Sequence, residues 1–204
     1  MIQYPNIDPI ALSVGPVSIY WYGLTYVGGL IFAWWLGRQR AQLAGSPIKV
    51  DQIDDLIFYA ALGIIAGGRI GYALFYGSGS LVDDPLRIVR IWEGGMSFHG
   101  GFLGVVVAMW FLCRNHKIEF GALVDFIAPL APVGLALGRL GNFINQELWG
   151  RPADVPWAMV FPNDPSGLAR HPSQLYQFAM EGMLLFGLLF WFTQRPRPRW
   201  SAAC

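Results

Sequence analysis

The sequence predicts an all-α, polytopic membrane bundle, one transmembrane domain over residues 1–204 with five spans. Three observations predict it. The chain is 54% hydrophobic and only 13% charged, where a soluble domain carries roughly a quarter charged residues. Five apolar stretches approach the about 20 residues that a helix needs to cross a bilayer. The basic residues fall unevenly on alternate connections, as topology rules require.

The first span is Val17–Leu36. It lacks the basic n-region and small-residue cleavage site of a secretory signal, so it is read as retained. The others are Ile53–Tyr76, Gly95–Cys113, Leu123–Leu140 and Gln174–Thr193. Arg38, Arg40 and Lys49 follow span one, Arg114 and Lys117 follow span three, and Arg195, Arg197 and Arg199 follow span five. The opposite side holds Arg87, Arg90, Arg151 and Arg170. Basic loops favour the cytoplasm, which puts the amino terminus and the connection at about residues 146–172 outside. That connection is rich in proline and tryptophan, lacks a run long enough to span, and suits an external lid or docking surface.

With this orientation, the unusual polar residues gather in the outer leaflet. Tyr20, Trp21 and Tyr22 begin span one, Arg69 lies in the outer half of span two, and His99 stands at the entrance of span three. Span four delivers Arg139 and Asn142 to the boundary, with Asn145, Glu147 and Arg151 beyond.

Each admits two readings. A charge within a span costs at least ~2.5–3.5 kcal/mol on insertion scales and is retained for a partner or a cavity, although Arg139 can also snorkel. Gly138 and Gly141 remove bulk beside it, and Asn142 shares its helical face. An arginine fork with a nearby amide suits a phosphate or carboxylate, and at that depth the abundant anion is a lipid headgroup. His99, in SFHGG, is either a helix contact or a base for a thiol or hydroxyl. Arg69, in GGRIGY, either pairs with an acid such as Glu93 or Glu147 or binds the ligand. YWYG is an interfacial aromatic belt or a hydroxyl turned toward a headgroup.

Other classes find little support. A net charge of +1 gives no basic field for nucleic acid. Cys113 and Cys204 provide neither a disulfide framework nor metal-ligand spacing, and His99, His116 and His171 are too scattered for a metal site. No soluble cofactor is implied. A transporter or lipid scramblase remains the main alternative from another class, although inverted halves and midplane charges are not evident.

The run GRLGNFINQELWGR, residues 138–151, resembles the hallmark segment of bacterial prolipoprotein diacylglyceryl transferases. YWYGL, GGRIGY, EGGMSFHGG, DFIAPLAPVGLALGR and RHPSQLY agree in order and spacing, over about residues 5–198. The resemblance implies a multi-pass enzyme of the bacterial inner membrane. It would move the diacylglyceryl group of phosphatidylglycerol onto the lipobox cysteine in the signal peptide of a preprolipoprotein, forming a thioether and releasing glycerol phosphate. Carried over residue by residue, it makes Arg139 a ligand of phosphatidylglycerol supported by Asn142, and His99 the candidate base. Tyr22, Glu147 and Gly150 join the essential set; Arg69 rests mainly on its buried charge. Family members continue past RPRPR through about two more hydrophobic segments that carry another essential arginine. Here WSAAC follows, so a truncated and even inactive remnant is a further expectation.

Overall fold

The computed structural model describes residues 1–76, 85–90, 94–194 and 201–202. The basic run Arg195, Arg197 and Arg199, and Glu93, lie outside them. The chain is mostly helical and divides into two compact units, Met1–Leu36 with Ile127–Cys204, and Gly37–Phe126.

The unit of residues 37–126 is built on two helices, α2 (Gln52–Phe75) and α3 (Phe98–His116). Gly63, Gly67 and Gly71 recur every fourth residue and line one face of α2, and Gly100 and Gly104 do the same on α3. The backbones interlock there. A Cβ on Gly63 would lie 2.6 Å from the Gly104 carbonyl oxygen, and one on Gly71 would lie 2.8 Å from the Gly100 Cα. Close approach through small residues substitutes for the hydrophobic force that lipid does not supply. At α3's start, Ser97 Oγ accepts the Gly100 amide at 3.2 Å, satisfying an end donor of the helix. At the other end Lys117 turns into the left-handed region, φ 56°. The short helix α4 (Phe120–Ile127) follows.

The other unit holds most of the predicted site. It opens with β1 (Ile2–Gln3), then a hairpin of β2 (Ile10–Val14) and β3 (Val17–Tyr20) turning at Gly15, φ 58°. Helix α1 runs from Trp21 to Ala41. This corrects the first span, which was expected to start at Val17. Val17-Ser18-Ile19-Tyr20 alternates with period two and pairs with Ile10–Val14, so apolar composition there serves a strand.

The fourth span is also redrawn. The chain breaks around Pro129, whose ring cannot continue a helix, and resumes as α5 (Ala131–Ile144). Arg139 and Asn142 therefore sit inside a helix. Beyond it, β4 (Met159–Val160) pairs parallel with β1 and antiparallel with β5 (Ala169–Arg170). The fold is thus not purely α, and the 146–172 connection is folded: Phe161 and Ala158 are buried, and Tyr4, Phe143, Met159 and Phe161 form a core under it. The last helical stretch, Ser173–Phe192, comprises α6 (Ser173–Gln177), a π-helical middle (Phe178–Leu184) and α7 (Leu185–Phe192).

Among the described residues, Gln52–Phe75 and Ser173–Phe192 are long and apolar enough to cross a membrane, and the broken pair α4 and α5 would make a third. Large apolar side chains stay exposed along the helices, among them Val27, Ile31 and Trp35 on α1, Phe102 and Val107 on α3, and Leu188 and Trp191 on α7. Large apolar side chains left exposed along a helix belong against lipid.

Candidate active site

Helix α5 carries the centre of the site, and its end is fixed from both sides. The Tyr4 hydroxyl, from the amino terminus, donates to the carbonyls of Phe143 and Ile144, at 3.1 and 3.0 Å. These are carbonyls of the last turn, where intrahelical donors run out, and the Phe143 carbonyl also accepts the Gln146 amide at 3.0 Å. On the α1 side, Gly141 leaves no room: a Cβ would lie 2.8 Å from Thr25 Oγ1 and 2.9 Å from Tyr22 Cδ2. At Gly138 a Cβ would meet nothing within 4 Å. The two glycines beside Arg139 thus differ in purpose, Gly141 admitting α1 and Gly138 leaving open space.

Arg139 is half-buried, and among the described residues its guanidinium has no hydrogen-bond or ion-pair partner. Asn142, one turn on and buried, donates through Nδ2 to Glu147 Oε1 at 2.9 Å; Asn145 Nδ2 reaches the same oxygen at 3.4 Å. Glu147 is presented by a hook. Gln146 and Leu148 on either side of it both take left-handed backbone, φ 55° and 57°, a conformation that costs roughly 1–3 kcal/mol in a non-glycine residue and clusters at functional sites. The Glu147 amide returns to the Asn142 carbonyl at 3.0 Å.

Tyr22, in the first turn of α1, shares a hydroxyl–hydroxyl hydrogen bond of 3.1 Å with Tyr26, and Asn142 and Glu147 belong to its surroundings. Beside it opens an apolar cavity of about 510 Å³ lined by Ile19, Tyr20, Tyr22, Gly23, Leu24, Val27 and Asn145. Gly150 is a close-approach glycine. Its amide donates to the His171 carbonyl at 2.9 Å, and a Cβ would lie 2.9 Å from that residue's own Cβ. Tyr22, Arg139, Asn142, Glu147 and Gly150 all fall in this one unit.

Arg69 and His99 belong to the other unit. Arg69 is 2% exposed, and its guanidinium donates to the carbonyls of Arg90, Gly94 and Gly95 and lies 5.6 Å from the Tyr72 ring centre. It holds the segment that leads into α3. Gly94 and Gly95 both have positive φ there, and a Cβ on Gly95 would enter the Tyr72 ring. His99, in the first turn of α3, is exposed and rests edge-on against Phe98.

The sequence assigned no role to four contributors: Asn145, which it placed in the polar layer, and Arg170, Ser173 and Gln174. Asn145 binds the Glu147 carboxylate. The other three touch the hook's backbone, Arg170 at the Gly150 carbonyl, Ser173 at that of Leu148 and Gln174 at that of Glu147. The signal was a glutamine at the head of an apolar helix. Nearby, Trp157 Nε1 donates to the Tyr176 hydroxyl at 2.7 Å, and that hydroxyl lies 2.9 Å from His171 Nδ1.

Fold and site together define a helical membrane protein with an arginine inside one apolar helix and a carboxamide–carboxylate pair at that helix's end. Residues 9–203 match the family described as prolipoprotein diacylglyceryl transferase, and the chain belongs to that family. It is similar to proteins named phosphatidylglycerol–prolipoprotein diacylglyceryl transferase. The one from Marinomonas sp. is 57% identical over 203 residues, covering 100% of this chain and 76% of the relative. That from Chromohalobacter salexigens is 56% identical over 200 residues, with 98% and 73% covered. That from Vibrio cholerae is 52% identical over 202 residues, with 99% and 74% covered.

Proposed function

We propose that this chain is a phosphatidylglycerol–prolipoprotein diacylglyceryl transferase, an enzyme of the lipoprotein biosynthesis pathway. The observation that carries the reading is identity above 50%, over essentially the whole chain, to relatives bearing that name. These names favour transfer over lipid scrambling. The surroundings on α5 support it physically: among the described residues the Arg139 guanidinium is unengaged, Gly138 beside it leaves open space, and Asn142, one turn on, holds the Glu147 carboxylate.

In the reaction, the thiol of the lipobox cysteine loses its proton and sulfur attacks the glyceryl carbon that carries the phosphate. The carbon–sulfur bond forms as the carbon–oxygen bond breaks, and the electron pair leaves on the phosphate oxygen. Glycerol phosphate departs, and the diacylglyceryl group stays on sulfur as a thioether. Negative charge grows on the leaving phosphate, which Arg139 would stabilise through its paired N–H donors. A free thiol, with pKa near about 8.5, needs a base or a trapped thiolate; we assign His99 to that step. The hydrogen-bonded Asn142 and Glu147 hold polar groups oriented beside the headgroup, Tyr22 brings its hydroxyl to the same end, and the apolar cavity beside Tyr22 suits an acyl chain. Gly150 and Arg69 act through the backbone segments they pack or bind.

The same reading makes the chain one transmembrane domain of five spans in the inner membrane, amino terminus and 146–172 connection on the periplasmic side, with the site facing the outer leaflet. Purified chain incubated with phosphatidylglycerol and a lipobox peptide tests it. Peptide mass rising by one diacylglyceryl group is the expected result; phosphatidylglycerol bound or flipped with no thioether formed refutes transfer.

A further inference from the structure

The RHPSQ segment, which runs from the end of β5 into the first turn of α6, plays no part in the chemistry just described, yet it is bonded to the hook that carries Glu147. Gln174 is fully buried, and its Nε2 donates to the Glu147 backbone carbonyl at 2.6 Å. Ser173 Oγ donates to the Leu148 carbonyl at 2.7 Å. Arg170 Nη1 reaches the Gly150 carbonyl at 3.4 Å, while the His171 carbonyl accepts the Gly150 amide. Three of the four residues from Glu147 to Gly150 thus have their carbonyls taken by one short segment about 20 to 27 residues away.

Two features make this more than local packing. Gln146 and Leu148 are held in left-handed backbone, which needs outside contacts to persist. The Gln174 amide also works in one orientation only. Turned over, it would set Oε1 against the Glu147 carbonyl, acceptor facing acceptor. In the orientation present, Oε1 has no hydrogen-bond partner among the described residues, so the amide is spent on the hook at the expense of its own second group.

We infer that Gln174, with Ser173, is a positioning residue for the transfer reaction: it fixes the hook so that the Glu147 carboxylate stays on Asn142 and Asn145. This rests on the transferase reading, because kcat is the functional readout. A carboxylate displaced by about 1 Å costs roughly 100-fold in rate, whereas Arg139, on α5 and outside the hook, keeps its grip on the lipid phosphate.

The test compares wild type, Gln174→Leu, Ser173→Ala and Ser173→Thr in nanodiscs containing phosphatidylglycerol. It uses thioether formation on a lipobox peptide and amide hydrogen exchange across residues 146–150. Gln174→Leu is expected to lower kcat roughly 10- to 100-fold with KM for phosphatidylglycerol within about twofold, and to speed exchange of the Glu147 and Gly150 amides. Ser173→Ala is expected to do the same to a smaller degree, and Ser173→Thr, which keeps the hydroxyl, to recover most of the loss. Exchange unchanged in both Gln174→Leu and Ser173→Ala overturns the inference, as does faster exchange with unchanged kcat, or a loss confined to KM. If Gln174→Leu does not fold, the serine pair decides. A wild type that forms no thioether sinks the transferase assignment instead, while the exchange comparison still reports whether the segment fixes the hook.

Discussion

Arg139 combines three properties rarely found together: a charge within an apolar helix, no described partner for its guanidinium, and open space at the neighbouring Gly138. An arginine there without a ligand would be a cost with no return. Its planar fork matches phosphate in a way that a lysine ammonium does not. Arg139→Gln is therefore expected to lower kcat/KM for phosphatidylglycerol by about 100-fold or more, and Arg139→Lys to recover only part of it, read from initial rates of thioether formation; equal activity of lysine and arginine would contradict bidentate binding. Arg139, Asn142 and Glu147 stand out in the sequence because they interrupt an apolar run. The hook does not. Left-handed backbone at Gln146 and Leu148 leaves no mark on residues that ordinarily avoid it, and the bond from Gln174 to the Glu147 carbonyl joins positions 27 apart.

At the level of elements, the contact between α1 and α5 sets the position of Tyr22 against Asn142. Gly141→Ala must push Thr25 and Tyr22 aside, since the new Cβ would lie within 2.9 Å of both. Overpacking of this kind costs about 1–3 kcal/mol; a lower melting temperature with reduced activity is expected, and wild-type behaviour in both would mean that the helices part freely. The β4–β5 hairpin depends on a different force. Asp164 is ion-paired with Arg170 and accepts bonds from Ser166, which holds its carboxyl down from 3.8 to about 2. A depressed carboxylate lends stability above its unfolded pKa, and that stability is lost as pH falls through the folded value. The melting-temperature gap between wild type and Asp164→Asn is thus expected to be constant above about pH 4 and to close toward pH 2. A gap that stays constant through that window would show that the charge of Asp164 is irrelevant. Element boundaries were only partly legible: Val17–Tyr20 has the composition of a membrane helix but the alternation of a strand, and Pro129 marks a break that hydropathy averages away.

For the whole molecule, the account joins a membrane-embedded scaffold to chemistry on a lipid. Its proposed topology puts the 146–172 connection outside. Ser166→Cys, introduced in a Cys113→Ala, Cys204→Ala background, is expected to react with a membrane-impermeant maleimide applied to spheroplasts, and Lys49→Cys in the same background to react only after lysis; the reverse pattern would invert the orientation. The membrane character was readable from composition because lipid demands exposed Val, Ile, Leu and Trp along the helices, as seen on α1, α3 and α7, although among the described residues two helices, or three with the broken pair, are long and apolar enough to cross. The folded character of the 146–172 connection was not readable, because its core is assembled from Tyr4, Phe143, Met159 and Phe161, residues far apart in the chain.

The most direct test of the central claim, that sulfur displaces a phosphate held by Arg139, follows the bridging oxygen between the diacylglyceryl carbon and phosphorus. Phosphatidylglycerol labelled with oxygen-18 at that atom is supplied with the lipobox peptide, and the products are weighed by mass spectrometry. The account predicts all of the label in glycerol phosphate and none in the lipidated peptide. Label retained on the diacylglyceryl product would mean that the phosphorus–oxygen bond breaks instead, and the roles given to the thiol and to Arg139 would both be wrong.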